Sequence, residues 1–514
     1  MTQPVPPIPF NTSKEELTDR FTLPSPRISS ALRRRIEDSG AQVFSDASAK
    51  ADAGRDWWPL AIGWACDGEV PARPELVVRP TSTDEVSKVL AACNDASVPV
   101  TPTAGRSGVC GGSIPIYGGV SLDLTGLSGI VSMDDSSLVA EARSGTFGPD
   151  LENSLRQSGS GYTLGHWPQS MDISTLGGWL ACRSAGQYST RYGKIEDIVV
   201  GLEVVLADGR VIHTEGTGPR AATGPNLTQL FVGSEGTLGV ITAARLRVHP
   251  LPPATEKRAY GFSTFEAGLE CCRRVMRRGA TPAVLRLYDA AESDRHFQTG
   301  STCVLIVLDE ADDALVAATM SIVDQEASST SGCRDLDRAL VDRWIENRND
   351  VSALAPLWSS GIVVDTVEIA ASWSTLPDLA REVRVELEAV EGTLVASVHQ
   401  SHAYTDGACL YFTFAGQMPS ASGATNEGSK GDSRAWADRY YRTCWDTVMT
   451  AVMRHGAAIS HHHGIGLNRS RFLPAALGGA FDVLSAIKVA LDPEGILNPG
   501  KLGFTSRFGK PPWP

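Results

Sequence analysis

The segment Gly165-His166-Trp167-Pro168-Gln169-Ser170-Met171-Asp172-Ile173-Ser174-Thr175-Leu176-Gly177-Gly178-Trp179 places two hydroxyl side chains just ahead of a glycine pair. Glycine has no Cβ, so a ligand can lie against the main chain there while the Ser and Thr hydroxyls bond its polar atoms. Cys182-Arg183-Ser184-Ala185-Gly186 continues the small, polar texture, and Arg191-Tyr192-Gly193-Lys194-Ile195-Glu196-Asp197 leads into an apolar strand. Downstream, Gly233-Ser234-Glu235-Gly236-Thr237-Leu238-Gly239-Val240-Ile241-Thr242 sets a carboxylate and a hydroxyl among glycines at the head of another strand. Upstream, Pro102-Thr103-Ala104-Gly105-Arg106-Ser107-Gly108-Val109-Cys110-Gly111-Gly112 follows a short apolar strand. Its glycines permit positive φ, so consecutive N–H groups can converge on pyrophosphate oxygens, with Arg106 adding a charge-assisted contact. No Gly-Lys-Ser/Thr closes this loop as in a Walker motif, and no helix with an acidic ribose partner follows it as in a Rossmann turn. Singly, each segment reads as a glycine turn between strands. Three of them in order between residues 102 and 242 point to one extended ligand.

Composition bounds the rest. A chain of 514 residues exceeds one hydrophobic core, so two or three domains are expected. With 42% hydrophobic and 20% charged residues, globular structure is expected throughout. The net charge of −13 argues against a nucleic-acid partner, which needs a clustered basic surface. Arg33-Arg34-Arg35 is read as the solvated face of a helix. The ten Cys show no CxxC spacing, which disfavours a thiolate zinc site or a redox pair; reduced, buried thiols and a cytoplasmic location are expected. Met1–Phe10 has no apolar signal core, no 18-residue apolar run is present, and residues 508–514 carry no lipidation or address motif.

Four regions are expected: an arm and helix over 1–70, a ligand-binding domain over 71–252, a cap or substrate domain over 253–455, and a C-terminal segment over 456–514 that completes the site. Trp57, Trp58 and Trp64 are expected to pin the arm onto the core. Residues 75–78, 98–101, 120–124, 138–142, 198–206 and 240–248 read as strands, and 82–97 as a helix burying Val86, Val89, Leu90 and Cys93. Pro250–Pro253 punctuates a boundary. Helices are expected over 265–278, 375–390, 435–455 and 476–490, and a mobile Gly/Ser-rich loop over 420–433.

These motifs, with Gly218–Pro225, Leu285-Arg286-Leu287-Tyr288-Asp289, Ala408-Cys409-Leu410-Tyr411, Ser460-His461-His462-His463-Gly464-Ile465-Gly466 and Leu491–Asn498, resemble the vanillyl-alcohol oxidase and p-cresol methylhydroxylase superfamily over residues 71–505. Within it the chain is most similar to the alkyldihydroxyacetonephosphate synthase family. The resemblance implies an α+β fold with a two-subdomain FAD-binding domain of the p-cresol methylhydroxylase (PCMH) type and an α+β cap with an antiparallel sheet. It implies noncovalent FAD, held by Pro102–Gly108, His166, Gln169–Thr175, Gly178, Cys182–Ala185 and Glu235–Ile241.

His461, His462 and His463 suit proton transfer, because imidazole changes charge near neutral pH and neighbouring imidazoles suppress one another's protonation. Alternation in 409–414 puts Tyr411 and Thr413 on one strand face and Phe412 and Phe414 on the other. The resemblance implies that Tyr411 and the three histidines handle protons, that Arg286 is needed for activity, and that the reaction exchanges an acyl for an alkyl chain through a flavin N5 adduct, as in ether-lipid chemistry. One departure stands out: ungapped counting puts Leu354 where the synthase has its phosphate-binding arginine, with Arg343 or Arg348 as substitutes after a small shift. The alternative is an FAD-dependent D-2-hydroxyacid or alcohol dehydrogenase or oxidase. Those hydroxyacid enzymes place a metal on two His around a Gly-Asp-Gly turn. Here His402 and Asp406-Gly407 match the first part, the second His is missing, the usual Glu before the His-Gly-Ile-Gly motif is absent, and no metal is expected. His399 and His402 read as strand residues. The expected partner is a small or lipid-like substrate; peripheral membrane contact and a homodimer stay open.

Overall fold

In the computed structural model, which describes residues 10, 12–23, 26–214, 218–418 and 430–513, the apolar runs become three main sheets. The Pro-rich start and most of segment 420–433 lie outside the described residues, but residues 430–433 open a helix instead of belonging to a loop. The first sheet has strands β1 (Gln42–Phe44), β2 (Leu76–Arg79), β3 (Val100–Thr103) and β4 (Val120–Asp123) in the order β1-β2-β4-β3. Strands β2 and β3 each run parallel to β4, which lies between them, and helix α1 (Thr83–Asp95) makes the crossover. The α1 helix starts at Ser82, whose side chain accepts from the Glu85 amide, and it buries Val86, Val89, Leu90 and Cys93 at helical spacing.

The second sheet is antiparallel: β5 (Ile130–Asp134), β6 (Val139–Arg143), β7 (Val199–Val205), β8 (Val211–His213) and β9 (Val240–Arg247), in the order β8-β7-β9-β6-β5. Helix α2 (Leu176–Cys182) packs against it through Trp179 and Leu180. His166 is fully buried behind α2, with its Nε2 3.2 Å from Ser184 Oγ and its ring against Trp179. Burial pushes its pKa down to about 3. A folded pKa below the ordinary 6.5 means the unfolded chain binds this proton first. The stability it contributes above pH 6.5 is therefore expected to fall steadily towards pH 3. Thermal midpoints measured across that range should decline less steeply in His166→Gln; equal slopes would refute the assignment.

The chain then enters a seven-stranded antiparallel sheet: β10 (Ala254–Phe262), β11 (Val284–Tyr288), β12 (Cys303–Ala311), β13 (Arg334–Leu336), β14 (Ile362–Ser372), β15 (Thr393–Ala403) and β16 (Gly407–Gln417). Their order is β13-β10-β12-β11-β15-β16-β14. Helices α3 (Phe265–Arg277), α4 (Asp313–Ser328), α5 (Leu376–Glu388) and α6 (Lys430–Arg454) cover one face and build the largest apolar core with Phe412 and Phe414. The other face carries the polar residues taken up below. The helix expected over 476–490 is two, α7 (Leu473–Leu477) and α8 (Ala480–Leu491), because Gly478 turns the backbone at φ +53°. The C-terminal segment returns to the first sheet, where the amides of Val100 and Asn498 donate to the carbonyls of Ile496 and Val100. Trp58 and Trp64 pack edge-to-face with each other and with Trp513 in the core. Trp57 joins the same core and also lines the cavity between the sheets.

Candidate active site

One cavity runs between the glycine loops and the polar face of the seven-stranded sheet. From the first loop it is lined by Pro102, Thr103, Ala104, Gly105, Arg106, Ser107 and Gly108; from the second by Gln169, Ser170, Ile173, Thr175, Gly178, Cys182, Ser184 and Ala185; and from the third by Glu235, Gly236, Gly239, Val240 and Ile241. The other residues expected here stand back from it. Asp172 is exposed, and Arg183 is exposed and pairs with Glu196. Met171 and Leu238 are in the apolar core, Ser174 accepts from Trp179 Nε1, Thr237 donates to the Ser234 carbonyl, and His166 lies behind α2.

The cradle fits a dinucleotide laid on bare backbone. A Cβ built at Gly178 would meet only Thr175 Oγ1 at 3.5 Å, and one at Gly108 only Asp56 Oδ2 at 3.8 Å, so both faces open into the cavity. Gly105 is required differently: its Cβ would strike the Ile173 carbonyl oxygen at 2.3 Å, where the first and second loops meet. Arg106 and Glu235 hold positive φ of 53° and 49° without being glycine, a conformation that the surrounding loops must enforce.

Across the cavity, register builds the polar cluster. Tyr411 on β16 stands opposite Glu368 on β14 and His399 on β15, and His399 stands opposite Tyr288 on β11. These four residues form one row on one face. The Tyr411 hydroxyl lies 2.6 Å from His462 Nε2 and 3.0 Å from His463 Nε2, and the His399 ring stacks on the Tyr411 ring. Arg286 donates from Nε to the Tyr288 hydroxyl at 2.7 Å and from a terminal nitrogen to His399 Nε2 at 2.6 Å. The His399 Nδ1 in turn faces the buried Glu292 carboxylate at 2.6 Å. Among the described residues Arg286 has no ion pair, and it lines the cavity.

Two carboxylates hold the histidine loop in place. Glu368 accepts from the Ser460 hydroxyl at 2.9 Å, from the amides of His461 and His463, and from Arg469 at 2.6 Å. Burial pushes the Glu368 carboxyl up, but Arg469 and the neighbouring histidines outweigh it and hold it at about 2. Glu235 reaches across from the third glycine loop and accepts from the amides of Ile465 and Gly466. Burial also lowers the three imidazoles, His461 and His463 to about 4 and His462 well below its ordinary value with the adjacent imidazoles adding to the effect. Burial raises the Tyr411 phenol well above its ordinary value, with Cys409 and Glu368 adding to it. At neutral pH the cluster is therefore a protonated phenol facing neutral imidazole acceptors. Glu368 and Arg469 have no exposed side-chain surface. Arg469→Leu would leave an uncompensated buried carboxylate and should cost about 3–5 kcal/mol; chemical denaturation of the variant measures this.

Sequence reasoning did not assign Glu368, Arg469, Glu292 or Trp57 to the site. Two acids, Asp365 and Glu368, in the otherwise largely apolar run Ile362–Ala370 were a usable signal, since an acid in such a strand needs a partner. Leu354 lines the cavity beside Val351. Arg343 donates to the Phe297 carbonyl, and Arg348 packs over the rings of Trp167, Tyr188 and Trp344; neither lines the cavity.

A glycine cradle for a dinucleotide, facing a phenol and imidazoles on the cap sheet, defines a flavoenzyme. A family profile described as an FAD binding domain matches residues 74–215, and one described as FAD linked oxidases, C-terminal domain, matches residues 251–502. The Escherichia coli (strain K12) protein named "Uncharacterized FAD-linked oxidoreductase YgcU" is 31% identical over 443 residues, covering 84% of this chain and 89% of that protein. The alkyldihydroxyacetonephosphate synthase of Dictyostelium discoideum is 28% identical over 473 residues, covering 85% and 74%. The Bacillus subtilis (strain 168) glycolate oxidase subunit GlcD is 27% identical over 482 residues, covering 91% and 95%. A solved alkyldihydroxyacetonephosphate synthase structure superposes with a TM-score of 0.75 at 25% identity, covering 93% of this chain and 87% of that one. The chain belongs to the FAD-linked oxidase family, and it is an FAD-dependent enzyme with a PCMH-type fold. Among the described residues no helix is long and apolar enough to cross a membrane.

Proposed function

We propose that the chain oxidises a small hydroxycarboxylate, with FAD as the electron acceptor. The observation that carries this reading is Arg286: a cation with no carboxylate partner among the described residues lines the cavity beside Tyr411, His462 and His463, while Leu354 and Val351 make the nearby wall apolar. An unpaired guanidinium suits a planar carboxylate. Tyr411 bonds the substrate hydroxyl, and neutral His462 or His463 takes its proton. Glu292, through His399, keeps Arg286 oriented. FAD, when bound, supplies the ring that accepts the hydride from the carbinol carbon. In this reading residues 71–252 carry the flavin, 253–455 cover its ring, and 456–514 complete both.

A second reading is exchange of an acyl for an alkyl chain, the ether-lipid type of reaction. The synthase relative and the superposition support it, together with the positions of Tyr411, His461–His463 and Arg286. Leu354 weighs against it, because no cap residue beyond Arg286 offers a cation to a substrate phosphate among the described lining residues. Anaerobic mixing separates the two. Bleaching of the flavin by a 2-hydroxy acid is expected. A flavin that stays oxidised with every hydroxy acid, yet shifts its absorbance with acyl-dihydroxyacetone phosphate, would replace the first reading with the second.

A further inference from the structure

The residues expected at the flavin from the second glycine loop end at Ala185, yet Gln187, just beyond them, also lines the cavity. Its backbone is fixed by the Gln187 amide, which donates to the Trp167 carbonyl at 2.9 Å. The side chain is 7% exposed. A glutamine amide carries one acceptor oxygen and one NH2 donor, and its neighbours decide which end faces which way. Arg348 donates from a terminal nitrogen to Gln187 Oε1 at 3.2 Å, so the oxygen is taken and Nε2 is the free end. Among the described residues that Nε2 donates to no group. A buried donor left unpaired is costly, so this one points to an acceptor that a ligand supplies.

Arg348 is itself held in place. It ends the helix Ala339–Asn347, and its guanidinium lies over the rings of Trp167, Tyr188 and Trp344 at 5.7, 5.1 and 5.5 Å from their centres. Tyr188 and Trp344 belong to the buried cluster that contains Tyr288, and the Tyr288 hydroxyl accepts from Arg286 Nε. One aromatic cluster therefore backs both Arg348 and Arg286. A cation on the amide oxygen polarises the amide and strengthens its N–H donors. The same stretch of chain then brings two apolar side chains to the cavity, Val351 and Leu354, and Leu354 opens the next helix, Leu354–Ser359.

We propose that Gln187 shares the substrate carboxylate with Arg286, and that Val351 and Leu354 receive an apolar side chain on the carbinol carbon. The substrate class is then a monocarboxylic 2-hydroxy acid with a hydrocarbon side chain. This deepens the hydroxycarboxylate reading and rests on it. A carboxylate has acceptor positions for both donors. Gln187 follows the glycine loops and Arg286 stands on the seven-stranded sheet, so the bound carboxylate joins the two walls of the cavity. Arg348 is a positioning residue, because it touches Gln187 and does not line the cavity. A second carboxylate on the substrate would lie against Val351 and Leu354 without a partner, and a site of that kind rejects it. A substrate without a side chain would leave the same wall uncovered.

The test titrates the flavin-loaded protein with 2-ketoisocaproate, the oxidised counterpart of 2-hydroxyisocaproate, and follows the flavin absorbance. Gln187→Glu is the deciding variant. It keeps the acceptor that Arg348 bonds and replaces the free donor with a second carboxylate oxygen. If Gln187 only tied Arg348 in place, this variant would bind the keto acid as the parent does. The expected result is a loss of affinity of at least about tenfold at unchanged flavin content, because a charge-assisted bond is replaced by repulsion. Gln187→Leu, which removes donor and acceptor together, should lose at least as much as a donor alone. In the parent, kcat/KM for 2-hydroxyisocaproate should exceed that for glycolate and for 2-hydroxyglutarate by at least about tenfold. Equal keto-acid affinity in the parent and both variants, or a parent that prefers glycolate or 2-hydroxyglutarate, would overturn the proposal. A flavin that none of these acids bleaches would overturn the hydroxycarboxylate reading beneath it; bleaching with unaltered affinity in the variants would overturn the role of Gln187 alone.

Discussion

Gly178→Val should give a folded protein that purifies with little flavin and needs far more added FAD than the parent to regain its colour. The Gly178 position sits in the first turn of α2, where Thr175 caps the helix and the backbone faces the cavity. A Cβ there meets nothing in the protein closer than 3.5 Å, so the apoprotein has room for it. The added branched carbons instead occupy space the ligand needs, and overpacking of this kind costs about 1–3 kcal/mol even where neighbours can yield. At about 1.4 kcal/mol per tenfold, flavin affinity should fall by roughly fivefold to more than a hundredfold. Gly105→Ala is the contrasting variant. Its Cβ strikes the Ile173 carbonyl, so it should destabilise the protein as well as weaken flavin binding. Absorbance per chain, read with a thermal melt, separates the two. A normal flavin spectrum in Gly178→Val would mean that the cofactor lies elsewhere.

Tyr411→Phe and His462→Ala should each keep FAD and lower turnover by at least about tenfold, the low end for a lost acid–base group. Both side chains stand on the cap side of the cavity, away from the glycine loops that hold the cofactor. Tyr411→Phe keeps the ring stacked on His399 and removes only the hydroxyl that faces two imidazoles. His462→Ala leaves His463 within reach of that hydroxyl at 3.0 Å, so its loss should be partial. The neutral imidazoles add a pH signature. Burial holds His463 at about 4, so the base form should persist and turnover should not fall between pH 8 and pH 6 through this group. Full turnover in both variants would remove the cluster from the chemistry.

The cofactor half was legible because its requirements are local. Backbone can approach a dinucleotide only where consecutive residues lack bulk, and that constraint is written directly into Pro102–Gly112, Gly165–Trp179 and Gly233–Thr242. The alternation around Tyr411 was equally local, and the strand β16 presents it as read. The distinction between residues that line the cradle and residues that support it was not local. Ser174 and Ser184 sit in similar polar runs, yet only Ser184 lines the cavity, while Ser174 is turned towards Trp179.

By itself the sequence determined glycine loops for an extended ligand, the strand that carries Tyr411 and a histidine loop, because period, glycine spacing and turn chemistry act over a few residues; the flavin and the antiparallel cap were implied by the family resemblance. Only the tertiary structure decided which polar groups meet. Glu368, Tyr411 and His399 are brought abreast by the register of three strands, and a single bulge moves His402 onto their face. Register and bulges depend on pairing between distant segments, and the pKa values of the cluster depend on how completely those segments exclude water.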